Sequence, residues 1–276
     1  MSSTAVARLG RRLPRRRAFI TGAGSGFGRS FALQLAANGW TIGLFDLNAT
    51  SLGETARLVE AAGGRAWTRV GDVAEQGQVE GAIGDFAAVG AGLDLLINNA
   101  GVAVAGLIDE TPGEDWRWIV GVNLLGVVYG CRAAVPILRA QRGGVILNVA
   151  SVAGFAAAPR MTAYNTSKAG VIALSETLAA ELADAGVQVS VAMPGFVRTG
   201  LLDSLRAPAD TAALAHRYVG GARHDADTAA GAMLAAVAKG RHAIVWPAPY
   251  RWAWRLKRWL PGLFRRSSVW LHRRVG

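Results

Sequence analysis

Three residues of this chain, Ser151, Tyr164 and Lys168, have the types and the spacing needed to transfer a proton. Tyr164 and Lys168 are four positions apart, so a helix places both on one face. A free phenol has a pKa of about 10, which is too high for a base at neutral pH. A neighbouring ammonium favours the phenolate, so we expect Lys168 to lower the pKa of Tyr164 while Ser151 holds a substrate oxygen. Tyrosine and lysine are also common on solvated helix faces, so the surrounding elements must decide between the two interpretations.

Short apolar segments alternate with longer helical patterns along the chain, which predicts repeated strand–helix units. Strands are predicted at 17–21, 41–46, 66–71, 93–98, 144–149, 188–193 and 243–245, and helices near 27–38, 51–62, 75–89, 114–140, 162–185 and 226–238. The strands are continuously apolar rather than alternating, which favours a parallel sheet covered on both faces. We therefore predict an α/β fold with a single Rossmann-type doubly wound parallel sheet of about seven strands. Residues 198–225 break this rhythm and are predicted to form a mobile segment at the carboxyl edge of the sheet.

The charge of this 276-residue chain is concentrated at its two ends. Residues 1–17 contain six arginines and residues 250–276 contain seven arginines and one lysine, with no acidic residue in either segment. We predict a basic N-terminal arm (1–17), a globular domain (18–249) and a basic amphipathic C-terminal extension (250–276). The domain itself has 16 basic and 19 acidic residues, since 14 of the 30 basic ones lie in the two ends. A nucleic-acid enzyme more often has its basic charge on the body, so no nucleic-acid partner is expected.

The cysteine content and the hydropathy of the chain bear on its location. The single cysteine, Cys131, excludes an intramolecular disulfide and fits a reducing compartment. No run approaches the roughly 20 uninterrupted apolar residues that span a bilayer. A cytoplasmic protein is expected, with peripheral contact at the inner face of a membrane as an extension of that hypothesis.

A glycine-rich turn, residues 21–28, follows the first predicted strand and opens a helix. Glycines in this context let backbone N–H groups approach a pyrophosphate at the helix N-terminus. Asp46, at the end of the second strand, would accept hydrogen bonds from ribose hydroxyls and repel a 2′-phosphate, so NAD is favoured over NADP. Arg29, just past the turn, keeps NADP as the alternative. A purely structural strand-to-helix turn is the other interpretation of these glycines.

Together these motifs resemble the short-chain dehydrogenase/reductase family over residues 17–246. Asn98-Asn-Ala-Gly101, Asn123 in Val-Asn-Leu, Ser151 with Tyr164 and Lys168, and Pro194-Gly195 follow the glycine turn in the family's order. The resemblance implies Asn123, Ser151, Tyr164 and Lys168 as catalytic residues, with Asn123 holding a proton-relay water and Lys168 also binding the nicotinamide ribose. It implies the cofactor-binding residues Gly22, Gly24, Ser25, Gly26, Phe27, Gly28, Asp46, Asp72, Val73, Asn99, Ala100, Gly101, Tyr164, Lys168, Pro194, Gly195, Val197 and Thr199. No metal site is expected.

The family resemblance also implies an activity and an assembly. The activity is hydride transfer between NAD(H) and a small-molecule secondary alcohol or ketone, with an NADP-dependent carbonyl reductase as the alternative. A non-catalytic cofactor-sensing protein of the same fold is a further alternative, although such a protein would normally lack the tyrosine or the lysine. The resemblance suggests a homodimer or homotetramer with contacts through helices 114–140 and 162–185.

The C-terminal extension is not explained by the family pattern. Helical spacing places Trp252, Leu256, Trp259, Leu260 and Leu263 on one side, flanked by arginines. A basic helix with tryptophan and leucine on its apolar side fits the interface of an anionic membrane. A subunit contact, an acidic partner and packing on its own domain are the competing interpretations. A membrane location would favour a hydrophobic or lipid-like substrate.

Overall fold

Seven strands form one sheet in the computed structural model, which describes residues 2–90 and 92–275. They are β1 (Arg17–Thr21), β2 (Thr41–Asp46), β3 (Arg65–Val70), β4 (Leu95–Asn98), β5 (Gly144–Val149), β6 (Val187–Pro194) and β7 (Ala243–Trp246). All neighbouring strands are parallel and their order is β3-β2-β1-β4-β5-β6-β7. The order reverses between β1 and β4, and such a switch point opens a crevice at the carboxyl ends of the strands. The predicted doubly wound sheet is confirmed.

Helices cover both faces of the sheet. They are α1 (Ser2–Arg12), α2 (Gly26–Ala36), α3 (Ala49–Ala61), α4 (Gln76–Val89), α5 (Gly113–Val120), α6 (Gly126–Gln141), α7 (Ala153–Ala156), α8 (Thr162–Glu181), α9 (Ala209–Gly220), α10 (Ala226–Ala238), α11 (Pro249–Trp259) and α12 (Pro261–Val275). A π-helical turn, Gly121–Leu125, joins α5 to α6, and 3₁₀ turns lie at Ala183–Ala185 and Gly200–Ser204. One core layer contains buried residues of α1, α2 and α10, and the other contains those of α4, α6 and α8. Both faces of the inner strands β1, β2, β4, β5 and β6 are therefore buried, which explains their largely apolar sequences, whereas β3 at the edge of the sheet is mostly exposed.

The stretch Gly113–Gln141 is long and apolar enough to cross a membrane by length and composition alone. Within this protein Val127, Cys131 and Leu138 of that stretch are buried in the core beside the sheet. A core helix passes the same test, and this packing is that of a core helix. The helix therefore serves here to cover one face of the sheet.

The N-terminal segment differs from the predicted cationic arm. Residues Val6, Leu9 and Leu13 are buried in the same core layer as α10 and α2. Arg12 donates a hydrogen bond to the side chain of Gln188 at 2.9 Å. The helix α1 is amphipathic, so its apolar side can join the core while its arginines remain near the surface.

Residues 198–225, expected to be mobile, contain the 3₁₀ turn and α9. Arg206 holds this segment against α5. Its guanidinium forms an ion pair with Asp115 at 2.7 Å and lies 3.7 Å from the ring centroid of Trp118. Backbone bridges also join Val104 to Arg206 and Arg198 to Asp225. The segment is thus a structured cover at the carboxyl edge of the sheet.

Candidate active site

A cavity of about 730 Å³ lies at the carboxyl ends of the strands, across the switch point. Most of the residues predicted from the sequence line it, namely Gly22, Ser25, Gly26, Phe27, Asp46, Asp72, Val73, Asn99, Ala100, Gly101, Ser151, Tyr164, Lys168, Pro194, Gly195, Val197 and Thr199. The remaining three, Gly24, Gly28 and Asn123, are buried and do not line it. The structure therefore brings the predicted cofactor and catalytic residues to one site.

The glycine turn is shaped by contacts that leave no space for a side chain. A Cβ atom at Gly28 would overlap the carbonyl oxygen of Gly22, and one at Gly22 would lie 2.7 Å from Cα of Ala100. Asn99 fixes the turn from β4, since its side-chain amide donates to the carbonyls of Thr21 and Gly22, each at 3.0 Å. This close packing brings the N-terminus of α2 to the cavity wall, where its positive end favours an anionic group.

Asp46 ends β2 with its carboxylate at the cavity. One oxygen accepts a hydrogen bond from the backbone N–H of Gly24 at 2.8 Å, and the other accepts from Asn48 N–H at 2.9 Å. Arg29 is engaged elsewhere, because its guanidinium donates to the carbonyl of Gly24 at 2.7 Å and pairs with Glu54 at 2.7 Å. The charge that faces the cavity from this corner is therefore the Asp46 carboxylate.

Tyr164 and Lys168 lie on α8 and Ser151 lies just after β5, so packing of α8 beside β5 brings the trio together. Burial raises the pKa of Tyr164 to about 12, and a hydrogen bond with Ser151 lowers it only in part. This direction contradicts the expected lowering by Lys168. The Lys168 ammonium lies 5.9 Å from the Tyr164 ring centroid and donates to the carbonyl of Val149 at 3.0 Å. Burial lowers the pKa of Lys168 itself to about 8.

Asn123 occupies the π-helical turn and is fully buried. Its amide accepts from Val102 N–H at 2.8 Å and donates to the Val102 carbonyl at 3.0 Å and to Ser167 Oγ at 3.2 Å. These bonds fix the loop after β4 against α8, beside Lys168. Single π turns are frequent at functional sites, where they reposition a side chain. The water-relay role of Asn123 stays a prediction.

Comparisons with known proteins match this arrangement. The family model for short chain dehydrogenases matches residues 16–210. The chain is 38% identical over 186 residues to the 2-(R)-hydroxypropyl-CoM dehydrogenase of Xanthobacter autotrophicus, covering 66% of this chain and 74% of that protein. It is 34% identical over 186 residues to the cyclohexanol dehydrogenase of an Acinetobacter species, covering 67% and 74% respectively. The chain belongs to the short-chain dehydrogenase/reductase family.

Among solved structures, a short-chain dehydrogenase/reductase from Burkholderia phymatum in complex with NAD superposes with a TM-score of 0.84 at 34% identity. The match covers 88% of this chain and 92% of that one. The chain is also 39% identical over 184 residues to a probable oxidoreductase of Mycobacterium tuberculosis, and the aligned region makes up 31% of that longer protein. As a family member, the present chain is an oxidoreductase.

This short-chain dehydrogenase has cavity residues that its sequence did not reveal. Most of them are apolar and come from five separate segments, as Val102, Trp118, Met161, Leu201, Leu205, Leu214 and Tyr250 show, whereas Arg160, Ser204 and Thr211 are polar. Trp118 lies on α5 and lines the cavity. Thr21 was also missed, although its hydroxyl accepts from the N–H groups of Asn99 and Ala100. Thr21 is the last residue of β1 and the first residue of the glycine turn, and this position could have indicated its role.

Proposed function

We propose that this enzyme transfers a hydride between NAD(H) and a hydrophobic secondary alcohol or ketone, with Tyr164 as the proton donor and acceptor. The observation that carries the proposal is the meeting of Ser151, Tyr164 and Lys168 with the glycine turn and Asp46 around one cavity. A hydride-transfer reaction on an alcohol must also move one proton, and the trio offers a group for that purpose. NAD, when bound, supplies the hydride acceptor or donor.

The residues around the glycine turn fit a dinucleotide, with the N-terminus of α2 available to a pyrophosphate. The Asp46 carboxylate at the cavity would accept hydrogen bonds from ribose hydroxyls and would repel a 2′-phosphate. Arg29 is the residue that would favour NADP by binding a 2′-phosphate. Its guanidinium instead donates to the Gly24 carbonyl and forms an ion pair with Glu54. These two observations support NAD over NADP.

The substrate side of the cavity favours an apolar molecule. Its walls include the side chains of Trp118, Met161, Leu201 and Leu205. Arg160 is a polar wall residue whose Nη1 donates to Asp210 at 2.9 Å and to Thr211 at 2.8 Å, while its buried Nε has no hydrogen-bond partner among the described residues. A hydrophobic group is therefore the complement of these walls, with its reacting oxygen near Ser151.

The protonation of the trio defines what each group does at neutral pH. With a pKa of about 12, Tyr164 keeps its proton and can donate it to a carbonyl oxygen. Ser151 hydrogen-bonds the phenol and orients the same oxygen. Lys168, with a pKa of about 8, is mainly cationic and stabilises negative charge that develops beside it. This resting state suits ketone reduction directly, whereas alcohol oxidation first requires the phenol to lose its proton.

The proposal is tested with purified protein and a panel of hydrophobic ketones and alcohols, followed by NADH and NADPH absorbance. We expect turnover with NADH and a much lower kcat/KM with NADPH. Asp46→Ala should raise KM for NADH by roughly tenfold, because hydrogen bonds to charged acceptors contribute about 1.5–3 kcal/mol, and it should narrow the preference between cofactors. Asp85→Ala removes an exposed carboxylate on α4 as the control. A wild-type preference for NADPH would contradict the cofactor assignment.

A further inference from the structure

The C-terminal helix pair consists of α11 and α12, and α11 packs on the domain along one of its sides. Lys257 Nζ donates to the carbonyl of Phe155 in α7 at 2.5 Å, and Arg258 pairs with Glu176 of α8 at 3.6 Å. The apolar residues of this inner side, Tyr250, Ala253 and Trp254, pack against the core. The helix therefore has a fixed rotation on the domain, and the residues on its other side have a defined direction.

The other side of α11 presents large apolar residues to solvent. Trp252 and Trp259 are 68% and 73% exposed, and Leu256 is exposed between them. At about 100° per residue these positions share one face, opposite the packed side. The large exposed apolar residues of the pair, here called the outer stripe, are Trp252, Leu256, Trp259, Leu260, Leu263, Val269 and Trp270. Large apolar side chains concentrated at the surface of one short segment are typical of a binding face.

Cationic residues flank the outer stripe. Arg255 lies 5.4 Å from the ring centroid of Trp252, and Arg265 and Arg266 are exposed on α12. Residues 250–276 contain eight basic and no acidic side chains. A two-fold contact with a second copy would set the same surface against itself and oppose these charges. An anionic bilayer instead offers negative headgroups for the arginines and an apolar layer for the tryptophans.

We propose that the C-terminal helix pair binds the surface of a bilayer that contains anionic phospholipids, with the outer stripe at the boundary between headgroups and acyl chains. Tyr250, in the first turn of α11, lines the substrate cavity. Trp259 lies nine residues further along, or about 13 Å at 1.5 Å per residue. Bilayer binding would thus bring the lipid phase close to an apolar cavity. The binding itself does not depend on the proposed reaction, because it is measured without turnover.

The test is co-sedimentation of the full-length protein with vesicles of phosphatidylcholine, alone or mixed with phosphatidylglycerol. We expect binding to the mixed vesicles that weakens with added salt, and little binding to phosphatidylcholine alone. Trp252→Ser/Trp259→Ser should weaken partitioning by roughly tenfold or more, because it removes the apolar contact. Val89→Ser/Ile108→Ser, at exposed positions elsewhere, should bind as the wild type does.

A second pair of variants separates charge from apolar contact. Arg265→Gln/Arg266→Gln should weaken binding to the mixed vesicles by about 30-fold, since each basic residue near an anionic surface contributes about fivefold. Arg57→Gln/Arg65→Gln removes two exposed charges on the domain and should have little effect. Wild-type protein that stays in solution with mixed vesicles at low salt would overturn the proposal. So would a dimer that dissociates when Trp252 and Trp259 are replaced, without any vesicle binding.

Discussion

At the scale of single residues, the sequence predicted that Ser151, Tyr164 and Lys168 lie together, but it predicted the opposite direction for the pKa shift of Tyr164. The spacing of Tyr164 and Lys168 correctly placed them on one helix beside Ser151. The direction of the Tyr164 pKa could not be inferred, because it depends on burial of the phenol by distant segments. Burial acts on both groups, so it raises the pKa of the tyrosine and lowers that of the lysine. The charge state of the site is therefore a property of the packed cavity.

Lys168 predicts the pH dependence of ketone reduction. Its pKa of about 8 lies below the ordinary 10.5, so Lys168 is cationic below pH 8 and becomes neutral as pH rises through that value. We expect kcat/KM for reduction to fall as pH rises through about 8. The measurement is the pH profile with a saturating reduced cofactor.

Lys168→Arg keeps a charge that does not titrate in this range, so any residual activity should lose the fall near pH 8. Lys239→Arg, at an exposed position after α10, should retain it. An unchanged transition in Lys168→Arg would assign the pH dependence to another group. The lowered pKa also affects stability. Between about pH 8 and 10.5 the unfolded chain binds more protons at Lys168 than the folded chain does, so the contribution of Lys168 to the free energy of unfolding rises with pH.

At the scale of elements, the strands were predicted closely because their apolar segments are unbroken and bounded by turn residues. The predicted bounds of β1, β2 and β5 agree with the structure. The π-helical turn at Gly121–Leu125 was not predictable from periodicity, since five residues hardly shift a helical pattern. The 3₁₀ turn and α9 within 198–225 were not predicted for a different reason: the segment is held by contacts such as those of Arg206 with Asp115 and Trp118, which are remote in sequence.

The junction of β1 and α2 depends on the absence of a side chain at Gly28. A Cβ atom there would overlap the Gly22 carbonyl, so Gly28→Ala must displace the turn from the helix. We expect it to lower the free energy of unfolding by about 1–3 kcal/mol and to weaken NADH binding. Chemical denaturation and NADH fluorescence titration are the measurements.

Gly81→Ala is the matched control, because Gly81 lies inside α4 with nothing near its missing Cβ. This variant should gain about 0.5–1 kcal/mol through helix propensity. A Gly28→Ala protein as stable as the wild type, with unchanged NADH affinity, would show that the turn can relax without cost.

At the scale of the whole molecule, the two basic ends have different structures despite similar composition. The N-terminal segment was predicted as a basic arm because of its arginines. The helical spacing of Val6, Leu9 and Leu13 nevertheless indicates an apolar face. The C-terminal extension keeps much of its apolar surface exposed, while Tyr250 reaches the cavity. The cavity walls come from segments spread between Gly22 and Tyr250, so their apolar character emerges only after folding.

Leu9 tests whether α1 is an integral part of the domain. Leu9 is fully buried beside α10, so Leu9→Ala should lower the free energy of unfolding by about 2–5 kcal/mol. Arg11→Ala, on the exposed side of α1, should change it by less than about 0.5 kcal/mol. Equal stability of the two variants would indicate that α1 behaves as a loose arm.

The central claim is that Tyr164 moves the proton while the cofactor moves the hydride. The most direct test supplies NADH deuterated at the transferable position with a hydrophobic ketone and measures the product by mass spectrometry. For the wild type we predict one deuterium on the carbinol carbon, and for Tyr164→Phe a rate lower by about 10²–10⁴-fold with NADH affinity preserved. Tyr129→Phe, on α6 away from the cavity wall, should keep full activity. Unimpaired deuterium transfer by Tyr164→Phe would contradict the account.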